Sequence, residues 1–145
     1  WDNLLIVILS DHGIRINDQQ SNSSYQVAHI PMVWTGGAIK EHRVVPTIMA
    51  QSDMAATLLG QLRIPHDEFI FSRDVMSKTY QCPSAFHTFD NGMTLIDSLG
   101  VVTYDNNAKR TIYSELFTGG QMDIKLYENK IKAVLQTVYK DAATR

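Results

Sequence analysis

The sequence predicts a mixed α/β fold: parallel-sheet strands and a helix, then a small antiparallel meander closed by a C-terminal helix. Three features carry this expectation. An apolar run without alternation, Leu4–Leu9, stops abruptly at Ser10-Asp11-His12-Gly13. Four short strand-like runs follow residue 80, separated by turn dipeptides. Apolar residues at helical spacing then fill the stretch from about Asp123 to Tyr139. On this reading residues 1–80 form one part of an α/β core, and residues 81–145 a small sheet and helix of the same domain.

Leu4–Leu9 mixes Leu, Ile and Val, which suits a central strand covered on both faces in a parallel sheet. Its shortness and the β-branched Ile6, Val7 and Ile8 favour a strand over a buried helix. Ile14 to Gln26 is polar and reads as a long surface loop; its Asn22-Ser23-Ser24 matches a glycosylation sequon of the kind that arises by chance in Ser/Asn loops. A second strand is expected at Ile30–Trp34, with Pro31 limiting pairing near its start. Ser52–Leu62 reads as a helix with Ser52 as N-cap, Asp53 complementing the dipole, and Met54, Ala55, Leu58, Leu59 and Leu62 on one face.

Beyond Phe69 the texture changes. Ala85–Phe89, Met93–Ile96, Val101–Tyr104 and Thr111–Leu116 alternate with turns at Asn91-Gly92, Leu99-Gly100 and Asn106-Asn107. Asn-Gly between strands is a strong hairpin signal, so a meander is expected. After Gly119-Gly120, the final helix places Ile124, Tyr127, Ile131, Val134, Leu135 and Val138 on one stripe.

Composition limits the function classes. The 145 residues are 44% hydrophobic and 19% charged, with a net charge of −2. No basic face invites nucleic acid, and no polybasic patch invites a membrane surface. The single cysteine, Cys82, excludes an internal disulfide framework and reads as a small buried or half-buried residue. The apolar run at Leu4–Leu9 is far shorter than the roughly 18 residues a spanning helix needs. The chain opens almost inside a strand, which suggests a piece of something larger whose remainder holds any targeting or membrane segments.

The chemistry concentrates at Asp11-His12. Neighbouring residues inside a strand point to opposite faces, but where the strand ends and the backbone turns they can converge. Gly13 permits such a turn. A carboxylate oxygen and an imidazole nitrogen together suit Zn²⁺ or Mn²⁺ better than Mg²⁺ or Ca²⁺, which prefer all-oxygen shells. The same pair also fits a tight turn whose Asp caps backbone groups.

Ser10-Asp11-His12-Gly13 after a hydrophobic strand resembles the "SDHG" motif of the alkaline phosphatase superfamily. It is most similar to the branch of sulfatases, lipoteichoic acid synthases and phosphoethanolamine transferases. "HIPMVWTGG" (His29–Gly37), "QSDMAATLLGQLRIP" (Gln51–Pro65) and "FSRDVMS" (Phe71–Ser77) resemble further segments of that branch in the same order. The resemblance implies the C-terminal portion of an alkaline-phosphatase-like sandwich, in which Asp11 and His12 ligate a divalent metal. It also implies a further acidic ligand and a Thr, Ser or formylglycine nucleophile upstream of the pair, so no catalytic nucleophile is expected in these 145 residues. With two ligands alone, metal binding should be weak, the isolated chain inactive, and the metal absent from it.

The resemblance further implies that His29 contacts the transferred phosphate or sulfate; a surface histidine at a strand start is the plain alternative. Arg15, two residues past the glycine, is within reach of an anionic ester, though an ordinary solvated arginine is the stronger reading there. Asp53 matches a family position and reads as structural. His42, His66 and His87 show no partner pattern. Cys82-Pro83-Ser84-Ala85 echoes a sulfatase cysteine signature, but the spacing is wrong and no Arg follows.

The expected function is part of a metal-dependent phosphoglycerol- or phosphoethanolamine-type transferase, or a phosphoric ester hydrolase, working through a covalent intermediate. Sulfuric ester hydrolysis and a non-catalytic binding member of the fold are the alternatives. The implied partners are an anionic phosphate or sulfate ester and the upstream half of the same catalytic domain, with a membrane reached only through upstream segments. The implied location is the extracytoplasmic face of a bacterial membrane, the chain itself being soluble.

Overall fold

The opening apolar run forms strand β1, Ile6–Leu9, in the computed structural model, which describes residues 1–145. The chain divides into two compact units, Trp1–Pro46 and Thr47–Arg145.

In the first unit β1 pairs with β2, Met32–Thr35, in antiparallel register from Ile6 opposite Thr35 to Leu9 opposite Met32. The strand expected at the centre of a parallel sheet is therefore one of a two-stranded antiparallel pair. An apolar run without alternation says that both faces avoid water; it says nothing about the direction of the neighbouring strand. One face also stays open, with the paired Ile8 and Val33 56% and 52% exposed. Pro31 has the expected effect, since β2 begins one residue after it. Gly36 ends β2 with φ at +110°, a conformation that L side chains rarely adopt.

The second unit begins with a 3₁₀ turn, Gln51–Asp53, leading into α1, Met54–Gln61. Ser52 is not the cap, because the 3₁₀ turn shifts the helix start to Met54. Segment 72–75 docks along α1: Ala56 N–H donates to Ser72 Oγ at 2.8 Å, and Val75 N–H donates to Thr57 Oγ1 at 3.1 Å.

Strands β3 (Ser84–Phe89), β4 (Gly92–Asp97), β5 (Gly100–Asp105) and β6 (Arg110–Leu116) then form the expected meander, each antiparallel to the next. Helix α2, Ile124–Thr144, covers one face, capped by Asp123 Oδ1, which accepts from Leu126 N–H at 3.0 Å. Met93, Leu95, Val102 and Tyr104 from the sheet meet Tyr127 and Ile131 from the helix in a closed core. The opposite face of β4 and β5 is buried too, where Thr94 and Thr103 join their hydroxyls at 2.9 Å. Tyr127 anchors the helix by donating its hydroxyl to Asp97 Oδ1 at 2.6 Å. Burial, and then this hydrogen bond to a carboxylate, push the phenol well above its ordinary range.

Cys82 departs from expectation. It is exposed, with φ at +56°, in the turn preceding β3, because the sheet takes up the chain only from Ser84.

Candidate metal centre

Asp11 and His12 lie two and three residues past the end of β1, where no ladder partner dictates alternate faces. The turn brings them together. His12 N–H donates to Asp11 Oδ1 at 3.0 Å, and Asp11 Oδ1 stands 3.7 Å from His12 Nε2. Asp11 thus caps a backbone group, as the turn reading has it, and also faces the imidazole. Two donors on a tetrahedral ion with bonds of about 2.1 Å stand about 3.4 Å apart, against about 3.0 Å on an octahedral one. The observed separation is closer to the tetrahedral spacing. The side chains are 89% and 76% exposed, so both donors are open to an ion from solvent.

The other imidazole nitrogen is occupied. His12 Nδ1 lies 2.7 Å from the carbonyl oxygen of Gly13. In the neutral ring a bond to this carbonyl, which only accepts, puts the proton on Nδ1 and leaves the lone pair on Nε2. Metal-bound histidines commonly use their second nitrogen in this way, donating to a backbone carbonyl.

Gly13 is required for a reason the sequence does not display. Its φ lies outside the left-handed region, so the turn itself does not demand glycine. A Cβ there would sit 1.5 Å from the carbonyl oxygen of Val27. The turn therefore lies flush against Val27-Ala28, immediately before His29. One backbone turn leads to that point, with Ala28 N–H donating to Tyr25 O and His29 N–H to Gln26 O. His29 and Arg15 are both exposed. No third His, Cys, Asp or Glu joins Asp11 and His12 to complete a metal cage.

Asp53 is the charged residue most deeply embedded in the fold. It is completely buried, and its carboxylate accepts from Ala50 N–H at 2.9 Å, Arg73 N–H at 2.9 Å, Arg73 Nε at 3.0 Å and Arg73 Nη2 at 2.8 Å. Arg73 also donates to Ser84 Oγ and Ser84 O, and it lies under the Tyr80 ring at 5.3 Å. Burial works against the charge of Arg73, but the hydrogen bonds and charge of Asp53 outweigh it and raise the guanidinium pKa. Asp53 thus ties the start of α1 to the 69–83 segment and to the start of β3. Its role is structural, as the sequence suggested, but it acts through Arg73 rather than the helix dipole. The two residues stand 20 positions apart in sequence, with no local pattern joining them.

His66 Nδ1 meets Ile64 O at 3.2 Å in a surface turn, and His42 is exposed. His87 lies within β3 opposite Thr94. None of the three is grouped with other metal-ligating side chains.

No family model matches the sequence, and no curated protein matches it. Among solved structures, the chain matches a protein in the alkaline phosphatase superfamily from Vibrio parahaemolyticus, with a TM-score of 0.71 and 18% identity. The match covers 98% of this chain and 36% of that one. The fold is that of part of an alkaline phosphatase superfamily protein. Nearly every residue takes part in the likeness, so the alkaline-phosphatase-like fold includes both the β1–β2 pair carrying Asp11-His12 and the meander with α2. The chain spans about a third of the length of the structure it matches. No helix is long and apolar enough to cross a membrane.

Proposed function

We propose that this chain is part of a metal-dependent enzyme acting on phosphoric esters through a covalent intermediate, as a phosphoglycerol- or phosphoethanolamine-type transferase or a hydrolase. The observation that carries this reading is the donor pair Asp11 Oδ1 and His12 Nε2, 3.7 Å apart and open to solvent. The residues fit a divalent ion in donor type, spacing and tautomer, and Zn²⁺ or Mn²⁺ suits their mixed oxygen–nitrogen chemistry. Such an ion, when bound, neutralises charge on a phosphoryl group and activates a hydroxyl nucleophile.

The role of this chain's own residues is to supply two of the ligands. Three or four protein ligands are usual for zinc, so the remaining acidic ligand and the nucleophile come from the rest of the protein, and the isolated chain is inactive. That the chain spans 36% of the matched structure supports this division. Residues 1–80 then belong to the metal-binding core and residues 81–145 to the small sheet and helix of the same domain. His29, directly after the segment on which Gly13 rests, and Arg15 are assigned to the anionic ester, where a hydrogen-bonding cation stabilises developing charge. The reading places the parent at the extracytoplasmic face of a bacterial membrane.

The test is hydrolysis or transfer by the intact parent, offered phosphodiester, phosphomonoester and sulfate ester substrates beside its Asp11→Asn variant. Turnover of a phosphate ester that the variant loses supports the proposal. Turnover of sulfate esters alone makes the protein a sulfatase. A parent that turns over none of them and takes up no Zn²⁺ or Mn²⁺ is a binding member of the fold.

A further inference from the structure

An imidazole offers a metal two different nitrogens, and this structure contains a device that chooses between them. His12 Nδ1 is 2.7 Å from Gly13 O, whereas Nε2 faces Asp11 Oδ1 at 3.7 Å. The accepting carbonyl belongs to the next residue in the chain, so its direction depends on how the backbone at residue 13 is held. That backbone is pressed against Val27, where a Cβ would stand 1.5 Å from Val27 O and 3.1 Å from Ala28 Cα. Val27 is itself buried, the one apolar residue of the first unit that is, and its N–H is fastened to Ser24 O at 3.1 Å. The contact is therefore with an anchored segment.

We propose that Gly13 is a positioning residue that selects Nε2 of His12 as the metal-ligating nitrogen, its carbonyl being held on Nδ1–H by the close approach of residue 13 to Val27. The inference rests on the metal-site reading above and deepens it. It explains why glycine follows the histidine although the backbone there is not left-handed. A side chain at residue 13 forces the turn away from Val27, moves the carbonyl, and frees Nδ1 to exchange its proton with Nε2. His12 N–H, already bound to Asp11 Oδ1, completes the arrangement: adjacent backbone groups of one turn orient the oxygen donor and the nitrogen donor.

The experiment is nitrogen-15 NMR of the His12 ring in the intact protein, above the pH at which the imidazole deprotonates, without metal and then with added Zn²⁺. The expected metal-free state is the Nδ1–H tautomer, the opposite of that favoured by a free imidazole side chain in water. Added Zn²⁺ should shift the Nε2 resonance and leave the Nδ1–H correlation in place. Gly13→Ala should mix the tautomers and weaken Zn²⁺ binding by about 10–100-fold, the usual effect of losing a group that orients a ligand. An Nε2–H tautomer in the wild type, or Zn²⁺ taken through Nδ1, overturns the inference, whether or not the variant folds. Failure of the underlying reading looks different: the Nδ1–H tautomer is present, but saturating Zn²⁺ shifts neither ring nitrogen, which removes the ligating role.

Discussion

The two units of the chain divide stability from chemistry. Of the buried apolar residues, Val27 alone lies in Trp1–Pro46, whereas Met93, Leu95, Val101, Val102, Tyr104, Tyr127 and Ile131 all lie in Thr47–Arg145. The proposed metal donors lie instead on the first unit, where Asp11 and His12 stand in solvent. The second unit holds the chain's one buried charge: Asp53 is satisfied by Arg73 and by the backbone of Ala50. A group that must bind something from outside cannot be saturated by its own fold. The same property makes it inexpensive to replace, so mutations should separate the two regions cleanly.

The largest effect is expected at the buried charge pair. Arg73→Met leaves the Asp53 carboxylate, 1% exposed, without its counter-charge and without two of its donors, Nε and Nη2, while the backbone N–H of residue 73 stays. Replacing one member of a buried pair costs about 3–5 kcal/mol, which a urea unfolding curve should register as a large fall in midpoint. A loss below about 1 kcal/mol there would mean that Asp53 is not the keystone of the second unit. Ile131→Ala, in the centre of the α2–sheet core, should follow at about 2–5 kcal/mol by the same measurement.

Smaller and more selective is Tyr127→Phe, which removes the hydroxyl from Asp97 while keeping the ring. A hydrogen bond to a charged group contributes about 1.5–3 kcal/mol, and Asp97 retains bonds from Leu99 and Gly100, so the lower end is expected. Acid sensitivity adds a fourth contrast. The Thr111 hydroxyl, then the nearby Lys125 and Lys132, hold Glu128 below its ordinary pKa of 4.5. The folded chain thus binds this proton less readily than the unfolded chain. Its stabilisation is complete above about pH 4.5 and is lost as pH falls through the lower folded value. Glu128→Gln should therefore cost most at pH 7, where that stabilisation is complete, and least in acid, where it is already lost, which flattens the fall in stability below pH 5. The smallest effect on stability belongs to His12→Ala, within about 0.5 kcal/mol of the parent because the ring is exposed.

The sequence was most legible where local chemistry decides structure. Asn91-Gly92 and the flanking runs signal a hairpin, whose two-residue turn is Asp90-Asn91 with Gly92 opening β4, and the meander follows strand by strand. The α2 stripe from Ile124 to Val138 was equally plain, although the helix continues to Thr144 through Ala142 and Ala143, which favour helix without marking a face. Pairing direction was not legible, because the apolar character of Ile6–Leu9 encodes burial and not the sense of a neighbour. The Asp53–Arg73 tie was hidden by its 20-residue span, so Asp53 read as a dipole partner. At the site, the residue types pointed to Asp11 and His12. The reason for Gly13, its contact with Val27, lies across a loop of 13 residues and appears only in three dimensions.

Zn²⁺ binding by the intact protein and by His12→Ala, followed by titration calorimetry with thermal unfolding as a control, tests the metal site most directly. The expected result is a binding event in the intact protein that disappears in the variant, with the unfolding transitions superimposed. Undiminished Zn²⁺ binding by His12→Ala would contradict it.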